Sequence, residues 1–486
     1  MQKQDSLKKN ALMNALLTTL SFVFPLITFP YVSRVLLPAG TGRVSFAASI
    51  VSYFVLFAQL GIPTYGIRAC AQVRDDKEEL NQVVQEILSI NIVIVALTYI
   101  VFWGTLLFFP RLQNDKPLYL ILSIQMILNA IGVEWVYKAQ EKYAYITIRS
   151  IIFKFVAVIL TFLLIKSEND YIAYAGITIF AASASNVLNF LNLRTMVSLR
   201  KKRKYNFRRH LKPILIFFAM SCATTIYTNL DNVMLGLMKG DTEVGYYNAS
   251  VKIRNIFVSV VTSLGVVLLP RASYYFEQKL FDEFYKITRK ALNFVFIIAV
   301  ATTIFFVVYA KEGIYFLAGD AYGNSILPMQ ILMITLLFIG MTNIMGIQML
   351  VPMGKEINVL ISEIVGALVD VVINLMLIPK YGAFGAAIGT LLAEIIVWIF
   401  QLLTLNNSIY AAFRKISYHK ILLSSIIPVL AIIPIKNVGV NSFIKLSIAG
   451  PTYFILYGLI LLFVLKEPLA REMLSQVMNR IKPKNT

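Results

Sequence analysis

The residues of this sequence with chemistry to do are charged side chains set inside long apolar stretches. Lys154, Lys252 and Arg254 interrupt such stretches, as do Glu134, Asp231, Glu363, Asp370 and Glu394. A charge in hydrocarbon costs about 3 kcal/mol or more unless it faces a cavity or a partner. Cations in that position suit a phosphate or pyrophosphate, and carboxylates suit a coupling cation or a relayed proton. The competing reading is structural: the charges pair between helices or snorkel at helix ends. Lys252 and Arg254 lie roughly 200° apart around a helix, so at most one points squarely into a given cavity. Glu363, Asp370 and Asn374, at i, i+7 and i+11, make one polar stripe down a helix. Glu134 lies near a helix end and reads as packing, and Arg34, Arg43, Arg68, Arg149 and Arg271 also sit at the ends of apolar segments.

The elements that must hold these charges are membrane-spanning helices. The chain has 486 residues, 58% hydrophobic and 14% charged, with a mean hydropathy of +0.73. Soluble domains carry about 25% charged residues. Segments of about 20 apolar residues span a bilayer, and the sequence offers fourteen, beginning at 11–36, 44–67 and 84–109 and ending at 418–435 and 443–465. The fold class is thus an all-α integral membrane protein. With the N-terminus inside, the inner segments hold 32 of the 45 Lys and Arg and the outer loops 10. That bias predicts a multi-pass chain with both termini cytoplasmic. The N-terminal MQKQDSLKKN precedes an uncleaved first span rather than a signal peptide.

The longest polar interval, Arg194–Lys212, holds nine Lys and Arg among nineteen residues. Between two spans it reads as a cytoplasmic loop lying on anionic headgroups, not as a nucleic-acid site. It separates two six-helix lobes, spans 1–6 within 1–199 and spans 7–12 within 213–406, with 200–212 as the loop. Spans 13–14 within 407–465 are an added pair, and 466–486 is a cytoplasmic tail. Arg68–Val83 and Arg271–Lys290 are amphipathic and are expected along the membrane surface. A faint repeat supports the lobes. Gly42 precedes Arg68-Ala69 by 26 residues and Gly245 precedes Arg271-Ala272 by the same interval, an offset of 203. Six spans is an even number, so the repeats are parallel.

Several chemistries are disfavoured. The Gly-Lys at Gly354-Lys355 is followed by Glu356, so no ATP-binding loop is present and no cofactor is expected. His210 and His419 have no ligand-spaced neighbours, and Cys70 and Cys222 make no disulfide framework, so no metal is expected. The outer loops are too short for an enzyme acting on glycans outside the cell. Transport is left, with no catalytic residues. In span 12, Gly382, Gly385 and Gly389 form a surface for close helix contact.

Four stretches in order carry a resemblance: FPYVSRVLLPAGTGRVSFAASIVSYFVLFAQLGIPTYGIR (Phe29–Arg68), EWVYKAQEKYAYITIR (Glu134–Arg149), LDNVMLGLMKGDTEVGYYNASVKIR (Leu230–Arg254) and NLMLIPKYGAFGAAIGTLLAE (Asn374–Glu394). Over essentially the whole chain the sequence resembles the Wzx-type, polysaccharide-export branch of the multidrug/oligosaccharidyl-lipid/polysaccharide flippase superfamily. The resemblance implies two lobes around a central cavity and alternating access. It implies undecaprenyl-diphosphate-linked oligosaccharide as substrate, for surface polysaccharide synthesis at a bacterial cytoplasmic membrane. Carried over by position, the pyrophosphate-binding cations are Arg34, Lys154, Lys252 and Arg254. Asp231, Asp370 and Glu363 are the ion-coupling candidates, for Na+ or H+. Membrane lipids and the polymerase and glycosyltransferases of the same pathway are the implied partners. Alternatives are a multidrug/cation antiporter, which the mid-span cations argue against, and a lipid II or teichoic-acid precursor flippase.

Overall fold

The computed structural model describes residues 7–472 apart from 199, 201–203, 407–412, 414–415 and 469. The expectations for the first six residues, for 201–203 within the basic loop and for the tail beyond Glu472 lie outside the described residues. Among the described residues there is no strand. The chain divides into two compact units, one ending at Gly245 and the other beginning at Tyr246.

The first unit opens with α1 (Leu7–Gln59), α2 (Ile62–Gln72), α3 (Lys77–Phe108) and a single turn, α4 (Pro110–Gln113). It continues with α5 (Lys116–Gly132), α6 (Glu134–Ala139), α7 (Tyr143–Leu164) and α8 (Tyr171–Ile179). A π turn at Phe180–Ala184, α9 (Asn186–Leu193) and α10 (Arg208–Met238) follow. The next helix, α11 (Asp241–Glu277), starts in the first unit and ends in the second. The second unit then holds α12 (Phe281–Val308), α13 (Ala310–Leu317), α14 (Ile326–Asn343) and a π turn at Ile344–Leu350. It ends with α15 (Glu356–Tyr381), α16 (Ala383–Leu405), α17 (Tyr418–Leu423), α18 (Ile426–Ile432) and α19 (Ser442–Leu459).

Helices dominate because hydrocarbon offers no partner to a backbone N–H or C=O, so each segment must satisfy its own. Exposed apolar side chains such as Ile100, Leu163, Leu368 and Leu403 are what lipid tails would cover. Twelve helical segments are long and apolar enough to cross a membrane, or thirteen if a pair bent by 49° within α10 counts as one. The expected fourteen is not reproduced by that count. The physical reason lies in α1 and α2, where residues 23–72 form one continuous stretch of 50 residues. At 1.5 Å per residue it is about 75 Å long, more than twice a hydrocarbon core. It is broken at Leu37, whose backbone is left-handed (φ 56°, ψ 177°), between the expected spans 11–36 and 44–67.

Two surface segments also take a different form. The amphipathic DDKEELNQVVQEIL is not a separate surface helix. Asp76 caps α3 by accepting from the Glu78 and Glu79 amides at 2.9 and 3.0 Å, and α3 then runs unbroken to Phe108. Arg271–Lys290 is likewise the end of α11 and the start of α12. Within the first unit one core cluster packs α2 and the start of α3 against α6, with Trp135 on Gly66.

The described part of the basic loop is stitched to α3 rather than left to headgroups. Gln85 Nε2 donates to the Ser198 and Arg200 carbonyls, and Asn81 Oδ1 accepts from the Ser198 amide. Glu86, fully buried, accepts from Arg209 Nε at 2.9 Å, from the Asn206 amide at 2.8 Å and from Gln82 Nε2 at 2.8 Å. Its second oxygen lies 2.7 Å from His210 Nε2, and Tyr65 Oη lies 2.6 Å from His210 Nδ1. A buried carboxylate is tolerable only when saturated with donors in this way. His210, read from sequence as a residue of a basic loop, is 2% exposed and sits inside this network.

Two outcomes follow from these backbone and side-chain constraints. Glu86→Ala strands Arg209 and His210 beside a cavity, and the detergent-solubilised protein should lose about 3 kcal/mol of stability in thermal unfolding. Leu37→Gly relieves a left-handed leucine and should raise stability by about 1 kcal/mol in the same measurement. A Leu37→Gly protein that melts lower would mean the leucine side chain outweighs its backbone strain.

Candidate functional site

In the first unit, α1, α7, α8 and the π turn after it enclose a cavity of 460 Å³. Its polar lining includes Ser21, Thr28, Glu134, Ser150, Lys154 and Thr178. Ser150, Lys154, Ala157 and Thr161 recur at three- and four-residue intervals along α7, which puts them on one face. Lys154 Nζ donates to Ser21 Oγ at 2.6 Å. The Glu134 carboxylate acts electrostatically on both Lys154 and Arg149, while its closest cation is Lys138, 3.2 Å away one turn along α6. The arrangement is a lysine and a set of hydroxyls in an apolar frame. An ammonium there is a point charge with donors to spare, and the hydroxyls can either donate or accept.

Arg149, placed by sequence at a span end, is 5% exposed, with Nε and Nη1 lacking a hydrogen-bond partner. Tyr145 lies under its guanidinium at 5.9 Å. Arg34 does not line the cavity, and its Nη1 donates to the Pro30 carbonyl at 2.5 Å. Asp231, on α10, is 8% exposed and acts electrostatically on Tyr53 of α1. Its neighbour Asn232 donates to Ser49 Oγ at 3.0 Å.

In the second unit, Lys252 and Arg254 flank the buried Ile253 on α11, each half-buried, in keeping with their separation around the helix. Arg254 Nε and Nη2 donate to Asn255 Oδ1 at 3.3 and 3.2 Å. On α15 the buried stripe runs Ser362, Gly366, Asp370, Asn374 and Ile378, at four-residue steps. Glu363 lies two turns before Asp370 on the same face of the helix and is half-buried. Structure therefore joins Asp370 to Asn374 and leaves Glu363 beside them.

The partner face belongs to α16. A Cβ on Gly389 would lie 2.3 Å from Asn374 Oδ1 and 2.9 Å from Asp370 Oδ1. Thr390 and Glu394, both 7% exposed, follow on α16, and Thr390 Oγ1 lies 2.8 Å from Tyr247 Oη. The sequence reading counted Glu394 among the mid-span charges, and the structure buries it on α16 one turn past Thr390. The Asp370 carboxylate and the Asn374 amide oxygen, side by side at Gly389, are oxygen ligands of the kind that suits a hard cation or a proton. Among the described residues no group of three or more His, Cys, Asp or Glu is placed to hold a metal ion.

Comparisons with known proteins agree with one another. The family model described as polysaccharide biosynthesis protein matches residues 7–276, and the model described as MatE matches 217–376. The "Putative O-antigen transporter" of Escherichia coli (strain K12) is 24% identical over 410 residues, covering 83% of this chain and 97% of its own. Its namesake in Shigella dysenteriae is 27% identical, covering 82% and 99%. A solved structure of the lipid II flippase MurJ, in an inward closed conformation, shares the fold. Its TM-score is 0.74 at 17% identity, covering 94% of this chain and 99% of that one.

The Gly389 contact is open to a direct check. Gly389→Ala should destabilise the protein by about 1–3 kcal/mol in thermal unfolding, because Asp370 and Asn374 must move. Gly458→Ala, where nothing lies within 4 Å of the added carbon, should be close to neutral.

Proposed function

Because the chain belongs to the polysaccharide biosynthesis protein family, we propose that it is a flippase for undecaprenyl-diphosphate-linked oligosaccharide. It would carry repeat units from the inner to the outer leaflet of a bacterial cytoplasmic membrane, with both termini inside. The observation that carries the reading is Lys154, a lysine inside an apolar span that faces a 460 Å³ cavity and holds Ser21 Oγ. A lipid diphosphate brings about two negative charges, and moving them through hydrocarbon uncompensated is prohibitive. A fixed cation in a hydroxyl-lined cavity lowers that barrier, and the polyprenyl chain can remain among lipid tails. No bond is made or broken, so the residues act by binding rather than catalysis.

Lys252 and Arg254, half-buried on α11, are the cations the second unit offers to the same headgroup, and Arg34 is the candidate at the break of α1. Asp370, with Asn374, Thr390 and Glu394, is the proposed place for a coupling Na+ or H+, and Asp231 is the acidic candidate of the first unit. Burial supports this assignment for Asp370, at 2% exposed, more than for the half-buried Glu363. Membrane lipids and the glycosyltransferases and polymerase of the pathway are the implied partners.

Deleting the protein in its native host tests the reading. Complete repeat units should accumulate on undecaprenyl diphosphate while surface polymer is lost. Normal surface polymer in the deletion strain would end the proposal. In a complemented strain Lys154→Gln should lower export about tenfold with membrane abundance unchanged, as expected for one lost charge-assisted contact. Asp370→Asn should change how export depends on pH or sodium. Export unaltered across both would leave Asp370 a packing residue.

A further inference from the structure

Near the C-terminal end of α14 the second unit buries amide side chains inside an apolar segment. Gln348, 1% exposed, belongs to the π turn at Ile344–Leu350, and Gln401, 2% exposed, belongs to α16. Both the oxygen and the nitrogen of the Gln348 carboxamide are without a hydrogen-bond partner among the described residues. Asn343 Oδ1, Gln401 Oε1 and Trp398 Nε1 are buried and unpartnered in the same way. Hydrocarbon offers such groups nothing, and each one left dry forfeits the hydrogen bonds it would make in water. Native proteins meet this need with ordered water or an ion.

The amides straddle the π turn. A Cβ on Gly265 of α11 would lie 2.4 Å from Gln348 Nε2 and 2.5 Å from Asn343 Oδ1. On the turn itself, a Cβ on Gly346 would lie 3.2 Å from Gln401 Nε2 and 3.4 Å from Gln401 Oε1. Glycine at both positions lets a carboxamide lie directly against a helix backbone. The unpaired groups then select the ligand. Three amide oxygens would repel an anion, and the Gln348 nitrogen would oppose a bare cation. Water answers both kinds of group, since it donates to the oxygens and accepts from the nitrogens.

From this cluster a polar seam leads to Asp370. On α16 the residues Thr390, Glu394, Trp398 and Gln401 recur at four-, four- and three-residue steps, which puts them on one face. The buried stripe of α15 meets that face at both ends. Gln401 Nε2 donates to Ser362 Oγ at 3.2 Å, and Gly389 lies against Asp370 and Asn374. Between them a Cβ on Gly366 would lie 2.5 Å from Val397 Cγ2, so one apolar step separates Ser362 from Asp370. The titratable groups of the two facing stretches are Glu363, half-buried beside Ser362, with Asp370 and Glu394. Tyr247 Oη of α11 lies 2.8 Å from Thr390 Oγ1. The π turn runs directly into the loop at 351–355, which is cytoplasmic on the topology predicted from the loop charges.

We infer that the amides around the π turn bind water, and that this hydrated site is the inner-side route by which the coupling cation reaches or leaves Asp370. The water site stands on burial and geometry. The route rests on the reading of Asp370 as the coupling residue of a flippase, and Val397 against Gly366 is its narrow point.

Met345 and Met349, both fully buried in the π turn, report the water. In radiolytic footprinting of the detergent-solubilised full-length protein, hydroxyl radicals formed from bound water convert a neighbouring methionine to its sulfoxide. Met345 and Met349 should be oxidised, whereas Met329 and Met333, equally buried on α14, should not. The double variant Gln348→Leu with Gln401→Leu should lose that oxidation. Met345 and Met349 as unreactive as Met329 in the parent protein, or oxidation that persists in the double variant, would overturn the water site. In the complemented native host the double variant should alter the dependence of export on pH or sodium, as Asp370→Asn does. Export lowered by the same factor at every pH and sodium concentration would overturn the route. Oxidation of Met345 and Met349 in a protein whose deletion leaves surface polymer normal would keep the water site and remove the flippase reading.

Discussion

Hydrocarbon gives nothing back to a polar group, and the structure follows from that constraint. In hydrocarbon a spanning segment must pair its backbone donors and acceptors within its own helix, and each charge that enters an apolar segment needs a partner or a cavity. Glu86 illustrates the first solution. It is wholly buried, and Arg209, Gln82, the Asn206 amide and His210 surround it. Lys154 illustrates the second, holding one hydroxyl at the wall of a cavity. A saturated carboxylate fastens elements together, whereas a cation with unspent donors beside open space is available to a ligand. Charges of similar depth thus play different parts, and the number of partners separates them.

The same constraint governs where the helices break. The residue Leu37 is left-handed inside a run of 53 residues, and Gly240 is left-handed between α10 and α11. Each break is followed at once by a new helical start, and the two starts lie against each other. Backbone groups freed at one break are thus close to protein rather than to lipid. The π turns at Phe180–Ala184, Ile344–Leu350 and Ile460–Val464 are the milder form of the same device. Each widens one turn of a span while keeping its hydrogen bonds internal.

On the proposed reading, the residues assigned to binding and those assigned to coupling fall on different helices. The cavity of the first unit is built on α1 and α7, with a cation and hydroxyls. The acidic and amide groups of the second unit lie between α15 and α16, where Gly385 and Gly389 permit close approach. That separation suits a transporter in which an anionic headgroup and a small cation must be bound without quenching each other.

Composition and hydropathy by themselves determined the helical membrane class, because 20-residue apolar runs have one stable form in a bilayer. The position of charges along the apolar runs was equally legible, and it singled out Lys154, Lys252, Asp231 and Asp370. The offset of 203 between Gly42 and Gly245 was visible too, as spacing without meaning. Only the tertiary structure decided which charges face space. Lys154 lines the cavity of the first unit and Arg34 does not, because that depends on the neighbouring helix and not on position along one's own. It also decided that Asp370 and Asn374 are buried while Glu363, two turns away on the same face of α15, is only half-buried, since burial depends on what the neighbouring helix covers. The count of crossings and the anchoring of the basic loop depended on Leu37 and Glu86 respectively. A left-handed leucine and a buried carboxylate leave no mark in hydropathy, for each is made tolerable by residues far away in the chain.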